Sequence, residues 1–154
     1  VASPLLVDLA AMTNSPRRLV VTLQLEVAQR LCGRPGTKEY SKLTLLVGCR
    51  YIAGHIFKIS PHCFFPEPKV NSACLTLDRR TEPLFEDSLY KPFATVVKRA
   101  FSQRRKMMRK NLRGGWPDKV IDMAMAATGL DTKIRAEKVT LEQFVDLTRK
   151  LHDD

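Results

Sequence analysis

A chain of 154 residues is long enough for one domain with a hydrophobic core, or for part of a domain with a small appendage. Its 26 Lys and Arg residues outnumber its 16 Asp and Glu residues, and the net charge of +10 favours a polyanionic partner, either a nucleic acid or an acidic membrane surface. No apolar run approaches the ~20 residues that a transmembrane helix needs, which argues against a membrane-spanning protein.

The first part of the chain alternates helical and extended patterns. Ser3 and Pro4 suit the N-cap and the first position of a helix, and the leucines that follow predict a helix over residues 4–12. The β-branched, apolar run at residues 19–23 predicts a buried strand. A short helix should follow over residues 26–31.

Another helix and two strands are predicted next. The side chains of Tyr40, Leu43, Val47 and Tyr51 recur at three-to-four spacing, which predicts a helix that ends near Gly54. The segments 55–59 and 73–77 alternate as strands do, and a proline-bearing segment lies between them. This alternation of helices and strands over residues 1–78 indicates a layered α/β domain.

The composition changes after residue 80. Residues 81–91 hold acids, a proline and polar side chains, which is typical of a linker, and the patterns from Pro92 onward are helical. Thr140 and Gln143 suit a capping box at the start of the last helix. Three apolar helix faces are predicted, formed by Phe93, Val97, Ala100 and Phe101, by Val120, Met123 and Ala127, and by Leu141, Phe144, Val145, Leu147 and Thr148.

The segment from Lys91 to Arg113 is strongly basic, because it holds nine Lys or Arg residues and no acid. Arg105, Arg109 and Arg113 recur every four residues of one predicted helix, with nothing in it to answer their charge. A nucleic-acid phosphate backbone is the favoured external anion, and the alternatives are an acidic protein, an acidic membrane or a merely solvated face. The predicted nucleic-acid-binding residues here are Lys98, Arg99, Gln103, Arg104, Arg105, Lys106, Arg109, Lys110 and Arg113.

Prolines stiffen a loop that carries two aromatic side chains, with the sequence Phe64-Phe65-Pro66-Glu67-Pro68-Lys69. A ring held beside the end of a strand can stack on a nucleobase that has been drawn out of its helix, as enzymes that modify base edges require. The other interpretation is that one or both rings fill the core of the domain, and Phe65 is the ring that we expect to pack inward.

The sequence shows no self-contained active site. Residues 33–36, Gly-Arg-Pro-Gly, follow a predicted helix and contain a proline, which is the wrong context for a glycine-rich phosphate loop. The cysteines lack C-x-x-C spacing, and we interpret them as reduced, mostly buried thiols of a cytosolic protein. No metal is predicted, because no spaced ligand set is formed by Cys32, Cys49, Cys63, Cys74, His55, His62 and His152.

Three strings in the chain resemble the small-subunit ribosomal RNA adenine dimethyltransferases. They are LQLEVAQRLCGRPGTKEYSKLTLLV, the loop FFPEPKVNSA and the basic string AFSQRRKMMRKNL, which follow the family's order over residues 23–112. The ending KVTLEQFVDLTRKL is also similar. The loop pattern is shared with other adenine methyltransferases, whereas F-S-Q-R-R-K is much closer to this family alone.

The resemblance implies a fold and an activity. Residues 1–80 would be the C-terminal part of a Rossmann-like methyltransferase domain, and residues 81–154 a small helical domain that binds RNA and docks on the ribosome. The parent enzyme would transfer methyl groups from S-adenosylmethionine to two adjacent adenosines near the 3′ end of small-subunit rRNA.

The resemblance also implies roles for residues of the proline-bearing loop. Phe64 would stack on the target adenine, while Pro66 and Pro68 would shape the loop that holds it. Lys69 stands where the family has lysine and would contact RNA. Asn71 replaces the family's more usual Asp, so the resemblance supports no role for this position.

Family members begin with a glycine-rich nucleoside loop and carry a catalytic motif N-L-P-Y, and neither occurs in this sequence. Val1-Ala2-Ser3-Pro4 resembles the segment just after that motif, so we expect a chain without cofactor-binding residues, inactive alone but able to bind RNA. Exposed apolar surface should favour self-association. The expected partner is the small-subunit rRNA or the small ribosomal subunit precursor, in the cytoplasm and away from membranes.

Two alternatives fit the same strings. One is a non-catalytic nucleic-acid-binding protein on the same fold, as among the mitochondrial transcription factors related to these enzymes. The other is a macrolide-resistance-type methyltransferase of large-subunit rRNA, which shares the proline loop but fits the F-S-Q-R-R-K string less well.

Overall fold

The computed structural model describes residues 2–153, which form two compact units. The first unit comprises the residues up to 34 together with residues 38–83, and the second comprises residues 35–37 together with those from 84 onward. Within the described residues, no helix is long and apolar enough to span a membrane.

The first unit consists of an antiparallel sheet and three helices. The helices are α1 (Ala2–Ala11), α2 (Leu25–Leu31) and α3 (Lys42–Gly48), and the strands are β1 (Arg18–Gln24), β2 (Tyr51–Ala53), β3 (Phe57–Ile59) and β4 (Ser72–Arg79). β1 pairs along one side of β4, while β2 and β3 pair with successive parts of β4 on its other side. β4 is therefore the centre of the sheet, and the predicted α/β class is confirmed.

The core of the first unit lies against one face of β4. Ala73, Leu75 and Leu77 are buried, because alternate side chains of a strand point to the same face. The Tyr51 hydroxyl enters the same core and donates a hydrogen bond to the Pro16 carbonyl at 3.0 Å. The other buried members of this core are Leu6, Ala10, Leu23, Ala28, Leu31, Leu43 and Val47.

Three predictions for this unit were wrong in detail. Ser3 lies inside α1 and is not its cap. β1 is not a buried strand: Val20 is 66% exposed, because its side chain lies on the face opposite to that of Leu19, Val21 and Leu23. The helix that was predicted to end near Gly54 ends at Gly48, and the apolar spacing continues only because Tyr51 reaches the same core from β2.

Gly54 lies between β2 and β3, where the chain passes very close to β4. Its amide donates to the Thr76 carbonyl at 2.8 Å. A Cβ on Gly54 would collide with the Thr76 hydroxyl, so a larger residue here would force the Thr76 side chain to move.

The second unit is helical, with α4 (Tyr90–Ala100), α5 (Met108–Leu112), α6 (Asp118–Ala127) and α7 (Leu141–His152). α7 packs against α4 and α6, and the side chains of Phe93, Val97 and Phe144 are fully buried among them. The predicted capping box at the start of α7 is confirmed: the Gln143 amide donates to the Thr140 hydroxyl at 3.2 Å, and the Thr140 amide donates to Gln143 Oε1 at 3.0 Å.

Two predictions for the second unit need correction. The segment predicted as a linker contributes to the core, since Phe85 is buried with its ring 5.1 Å from that of Phe93, and a 3-10 turn at Asp87–Leu89 leads into α4. The predicted apolar face of α6 is its exposed side. α6 is apolar nearly all round, so spacing alone could not distinguish that side from the buried one, which is formed by Ile121, Ala124 and Met125.

Candidate nucleic-acid interface

The proline loop, defined as residues 64–69, follows a 3-10 turn at Pro61–Cys63 in the first unit. The turn begins with a side-chain cap, in which the His62 amide donates to the Ser60 hydroxyl at 3.3 Å. His62 Nδ1 lies 3.0 Å from Glu67 Oε1. This contact links the start of the loop to its far side, across both phenylalanines.

The far end of the proline loop is anchored to the sheet. The Asn71 carbonyl accepts a hydrogen bond from the Leu25 amide at 2.9 Å, just before β4 begins at Ser72. Lys69 is exposed between the loop's last proline and this anchor. The loop is therefore fixed at both ends, which favours a constant presentation of its side chains.

Both rings of the proline loop are open to solvent. Phe64 is 38% exposed and Phe65 is fully exposed, at 102%. The interpretation that the rings fill the core is wrong, and so is the expectation that Phe65 packs inward. The backbone of Phe64 is extended, with φ −120° and ψ 150°, and successive side chains of an extended chain point in opposite directions.

The sequence predicted that the basic segment forms a single helix, but the structure shows two helices separated by a stretch of turns. α4 ends at Ala100, and α5 begins at Met108 after a stretch of turns. The Asn111 side-chain amide, buried under this stretch, donates to the Ala100 carbonyl at 2.8 Å and to the Gln103 carbonyl at 3.1 Å. These bonds satisfy carbonyls that a continuing helix would have used, and so they stabilise the break.

The break creates the basic loop, defined as residues 102–106. The Lys106 amide donates to the Gln103 carbonyl at 3.0 Å, and just beyond the loop the Met108 amide donates to the Ile134 carbonyl at 2.9 Å. All five side chains of the loop are exposed. An exposed, cross-braced loop presents its cations outside the helices rather than as a stripe along one of them.

Two of the predicted RNA-binding arginines already hold carboxylates within the chain. Arg109 donates from Nε and Nη2 to both carboxylate oxygens of Asp122 and lies 3.6 Å from Asp118. Arg113 likewise donates from Nε and Nη2 to the two carboxylate oxygens of Asp118, at 2.8 and 3.0 Å. The prediction that nothing answers these charges was wrong, because Asp118 and Asp122, one turn apart on α6, lie outside the basic segment but contact its arginines.

The electrostatics follow from these pairs. The hydrogen bond from Arg109 lowers the pKa of Asp122, since it stabilises the ionised carboxylate, and the same bond raises the pKa of Arg109. An arginine that is held in a paired fork has fewer donors to offer a phosphate. Arg109 and Arg113 therefore serve first to fix α5 to α6.

The remaining cations differ in how free they are. Arg104 lies 3.4 Å from the Glu137 carboxylate, and Arg99 lies across Gly114 and Gly115, where a Cβ at either glycine would collide with its guanidinium. Among the described residues, no carboxylate pairs with four other cations of this segment, which are exposed: Lys98, Arg105, Lys106 and Lys110. These four are the most accessible to a polyanion.

The cysteines and histidines do not form a metal site in residues 2–153, where no group of three or more His, Cys, Asp or Glu side chains is arranged to hold an ion. All four cysteines are free thiols. The prediction that most are buried holds only for Cys49, whose burial raises the pKa of its thiol to about 12, whereas Cys63 is exposed.

Comparison with known proteins places these features in a family. A sequence profile described as Ribosomal RNA adenine dimethylase matches residues 1–153. The chain belongs to the ribosomal RNA adenine dimethylase family. The proline loop and the basic loop are thus features of a ribosomal RNA adenine dimethylase family member.

Curated relatives of this family cover the whole chain. The chain is 36% identical over 148 residues to Ribosomal RNA small subunit methyltransferase A of Nitrosospira multiformis, covering 96% of the chain and 56% of that protein. It is 37% identical over 154 residues to the protein of the same name from Hydrogenovibrio crunogenus, again covering 56% of the relative. The chain therefore spans about half the length of the curated relatives it matches.

Solved structures confirm the fold class. A dimethyladenosine transferase from Plasmodium falciparum superposes with a TM-score of 0.79 over 95% of this chain and 61% of that one, at 19% identity. The 23S rRNA methyltransferase ErmE superposes with a TM-score of 0.64 over 97% of this chain and 60% of that one, at 25% identity. The mixed α/β unit is thus a Rossmann-like methyltransferase fragment, as expected from the sequence of this ribosomal RNA adenine dimethylase family member.

Proposed function

We propose that this chain is the RNA-binding portion of an rRNA adenine N6,N6-dimethyltransferase that modifies two adjacent adenosines near the 3′ end of small-subunit rRNA. The observation that carries this proposal is the pair of fixed, exposed loops in a family member: one presents aromatic rings, and the other presents Arg105 and Lys106, with which no carboxylate of the described residues pairs. Base edges must leave the helical stack to be methylated, and a ring and a phosphate-binding surface are what such a substrate requires.

Each loop has its own role in this proposal. Phe64 receives the extruded adenine against its face, and Pro66 and Pro68 hold the loop in which that ring is presented. Lys69 contacts the backbone beside it. The basic loop, with Lys98 and Lys110, binds phosphates of the folded rRNA, and this contact positions the particle without reading its sequence.

S-adenosylmethionine is the proposed methyl donor of the parent enzyme, which would act in the cytoplasm. We assign no cofactor-binding residue within 2–153, because the glycine-rich loop and the N-L-P-Y motif of the family do not occur in this sequence. We infer that the chain on its own binds RNA but does not transfer methyl groups.

A second candidate substrate is large-subunit rRNA, favoured by the structural similarity to ErmE. The names of the curated relatives in Nitrosospira multiformis and Hydrogenovibrio crunogenus favour the small subunit. Methylation assays with the full-length parent on 30S and 50S particles distinguish the two. A full-length parent that methylates neither particle would instead support the non-catalytic binding protein.

The proposal predicts that the free cations, and not the paired ones, dominate RNA binding. Arg105→Gln with Lys106→Gln should weaken binding of a small-subunit rRNA fragment and reduce the log–log salt slope by ~1.4–1.8, since each lost phosphate contact removes ~0.7–0.9. Filter binding at several salt concentrations measures both quantities.

The matched control for this prediction is Lys91→Gln with Lys119→Gln, which removes the same charge from exposed sites at the starts of α4 and α6. The control should change the slope much less. Equal slopes for the two double variants would show that RNA responds only to the net charge, and the basic loop would lose its assignment as a binding surface.

A further inference from the structure

Exposed aromatic rings are confined to one short stretch of the chain. Of the seven phenylalanines in the sequence, Phe57, Phe64 and Phe65 are exposed, and the other four lie in the second unit as buried or partly buried residues. Single exposed apolar side chains such as Phe57 are common, but two adjacent exposed phenylalanines on a loop that is fixed at both ends indicate a binding surface. Phe65 is the extreme case, with no part of its ring covered.

The geometry shows that Phe65 cannot share the ligand of Phe64. The extended backbone at Phe64, with ψ 150°, turns the next side chain to the opposite direction. Phe65 also precedes a proline, which restricts it to extended conformations, and no residue other than glycine has a positive φ in the described chain. The two rings therefore diverge, and a base stacked on one lies out of reach of the other.

The charge around Phe65 indicates what kind of surface would cover its ring. Lys58 and Lys69 flank the stretch and are exposed. Glu67 is the only acid between residues 58 and 77, and its carboxylate lies 3.0 Å from His62 Nδ1. An apolar ring in a basic setting matches a ligand that offers both negative charge and π-faces, which is single-stranded RNA.

We propose that Phe65 is a second base-stacking residue, which holds the nucleotide next to the one that Phe64 receives. This inference rests on the proposed function, because it takes RNA as the substrate of the same loop. Two diverging rings on one fixed loop would splay two neighbouring bases apart. Phe65 would thereby keep the second base of an adjacent pair out of the stack while the first is bound at Phe64.

Replacement of Phe65 by leucine tests the inference, because leucine keeps the apolar bulk but removes the π-face. The probe is a short oligoadenylate RNA. Phe65→Leu should raise its Kd by about 5- to 150-fold, which corresponds to ~1–3 kcal/mol for one lost stacking contact. Phe65→Trp should bind as well as the unsubstituted chain, and the matched control Phe57→Leu, which alters another exposed ring of the same unit, should leave the Kd unchanged.

A spectroscopic measurement separates stacking from mere charge attraction. Phe65→Trp in a Trp116→Phe background leaves one tryptophan, whose fluorescence should be quenched when oligoadenylate saturates the chain. Inorganic polyphosphate carries the same charge but has no bases, so it should bind without quenching. Absence of quenching by saturating oligoadenylate would overturn the inference.

Comparison with Phe64→Leu keeps the two proposals distinguishable. If Phe64→Leu weakens oligoadenylate binding and Phe65→Leu does not, Phe65 is not a stacking residue but the proposed function stands. If neither substitution changes the Kd, the proposed function of the loop fails together with the inference. If Phe65→Leu changes the sedimentation coefficient of the chain and not its RNA affinity, the ring contacts a second copy of the chain and the inference is wrong.

Discussion

At the scale of single residues, neighbouring arginines in the basic segment have different tasks. Arg109 is held by Asp122 and Asp118, whereas Arg105 is exposed and, within the described residues, has no carboxylate partner. We predict that Arg109→Gln lowers the melting temperature of the chain, because it leaves Asp122 without its partner and frees α5 from α6. Arg105→Gln, the same change four residues earlier, should leave the melting temperature unchanged, and thermal denaturation followed by circular dichroism compares the two.

The same pair has a defined pH dependence. Folding lowers the pKa of Asp122, so its contribution to stability is complete above the unfolded value of about 3.9 and is lost as the pH falls through the lower, folded value. Asp122→Asn should therefore destabilise the chain at neutral pH and flatten the loss of stability in this acidic range. An Asp122→Asn chain with an unaltered acid limb would show that the pair contributes nothing to that loss.

Phe64 is the residue at which packing and substrate binding predict different losses. A packed phenylalanine costs ~3–5 kcal/mol of stability when truncated to alanine, whereas a lost stacking ring costs ~1–3 kcal/mol of substrate interaction. Since its ring is already 38% exposed, Phe64→Ala in the full-length parent should leave the melting temperature nearly unchanged while methylation of 30S particles falls by about 5- to 150-fold.

Aromatic replacements provide the control for Phe64. Phe64→Tyr and Phe64→Trp should retain part of the methylation activity, because either ring offers a π-face to the adenine. A Phe64→Ala enzyme that melts well below the unsubstituted protein, or a stable one with full activity, would remove Phe64 from the site.

At the scale of elements, Asn111 decides the shape of the basic loop. Its amide is 9% exposed and bonds to two carbonyls that bracket the end of α4. Asn111→Leu keeps the volume but removes this donor from the Ala100 carbonyl and leaves the Gln103 carbonyl with the Lys106 amide alone. We therefore predict a loss of ~1–3 kcal/mol in the free energy of unfolding, together with weaker RNA binding by the loosened loop. Urea denaturation measures the first effect.

The control for Asn111 is Gln103→Leu, which removes an exposed amide from the loop itself. It should leave the free energy of unfolding within ~0.5 kcal/mol of the unsubstituted chain, as surface substitutions usually do. If Gln103→Leu and Asn111→Leu were equally destabilising, the loop would depend on its own side chains and not on the buried amide beneath it.

Most elements could be predicted from apolar spacing, and the failures share a physical cause. Spacing reports which side chains face the core, but it does not report which element carries them there. Tyr51 continues the apolar spacing of α3 although it belongs to β2. Because α6 has apolar residues on both sides, the sequence predicted its exposed side as the face that packs against the core. The break after Ala100 depends on Asn111, a contact between distant positions that no local pattern predicts.

At the scale of the whole molecule, the types of residue in the sequence located the candidate site, but they did not predict which residues pair with each other. The proline loop and the basic segment were found from composition alone, because prolines stiffen a loop and a run of one charge needs an external anion. Asp118 and Asp122 were missed as partners because tertiary packing of α5 on α6 brings them to Arg109. Full exposure of Phe65 was also missed, since a sequence does not show which of two adjacent rings the core will accept.

The 154-residue chain on its own is predicted not to bind S-adenosylmethionine. Calorimetric titration of the 154-residue chain with S-adenosylmethionine should show no saturable site at micromolar concentration, because its sequence contains no glycine-rich loop or N-L-P-Y motif to hold the nucleoside and methionine. The full-length parent, titrated under the same conditions, should show one.

Thermal shift provides an independent readout of the same prediction. A ligand present at 100 times its Kd stabilises the folded state by about 2.7 kcal/mol, so the melting temperature of the parent should rise with added cofactor while that of the chain stays constant. A saturable heat or a concentration-dependent rise in melting temperature for the chain alone would mean that the chain binds the cofactor through residues with no glycine-rich pattern. The assignment of cofactor binding to other parts of the parent would then be wrong.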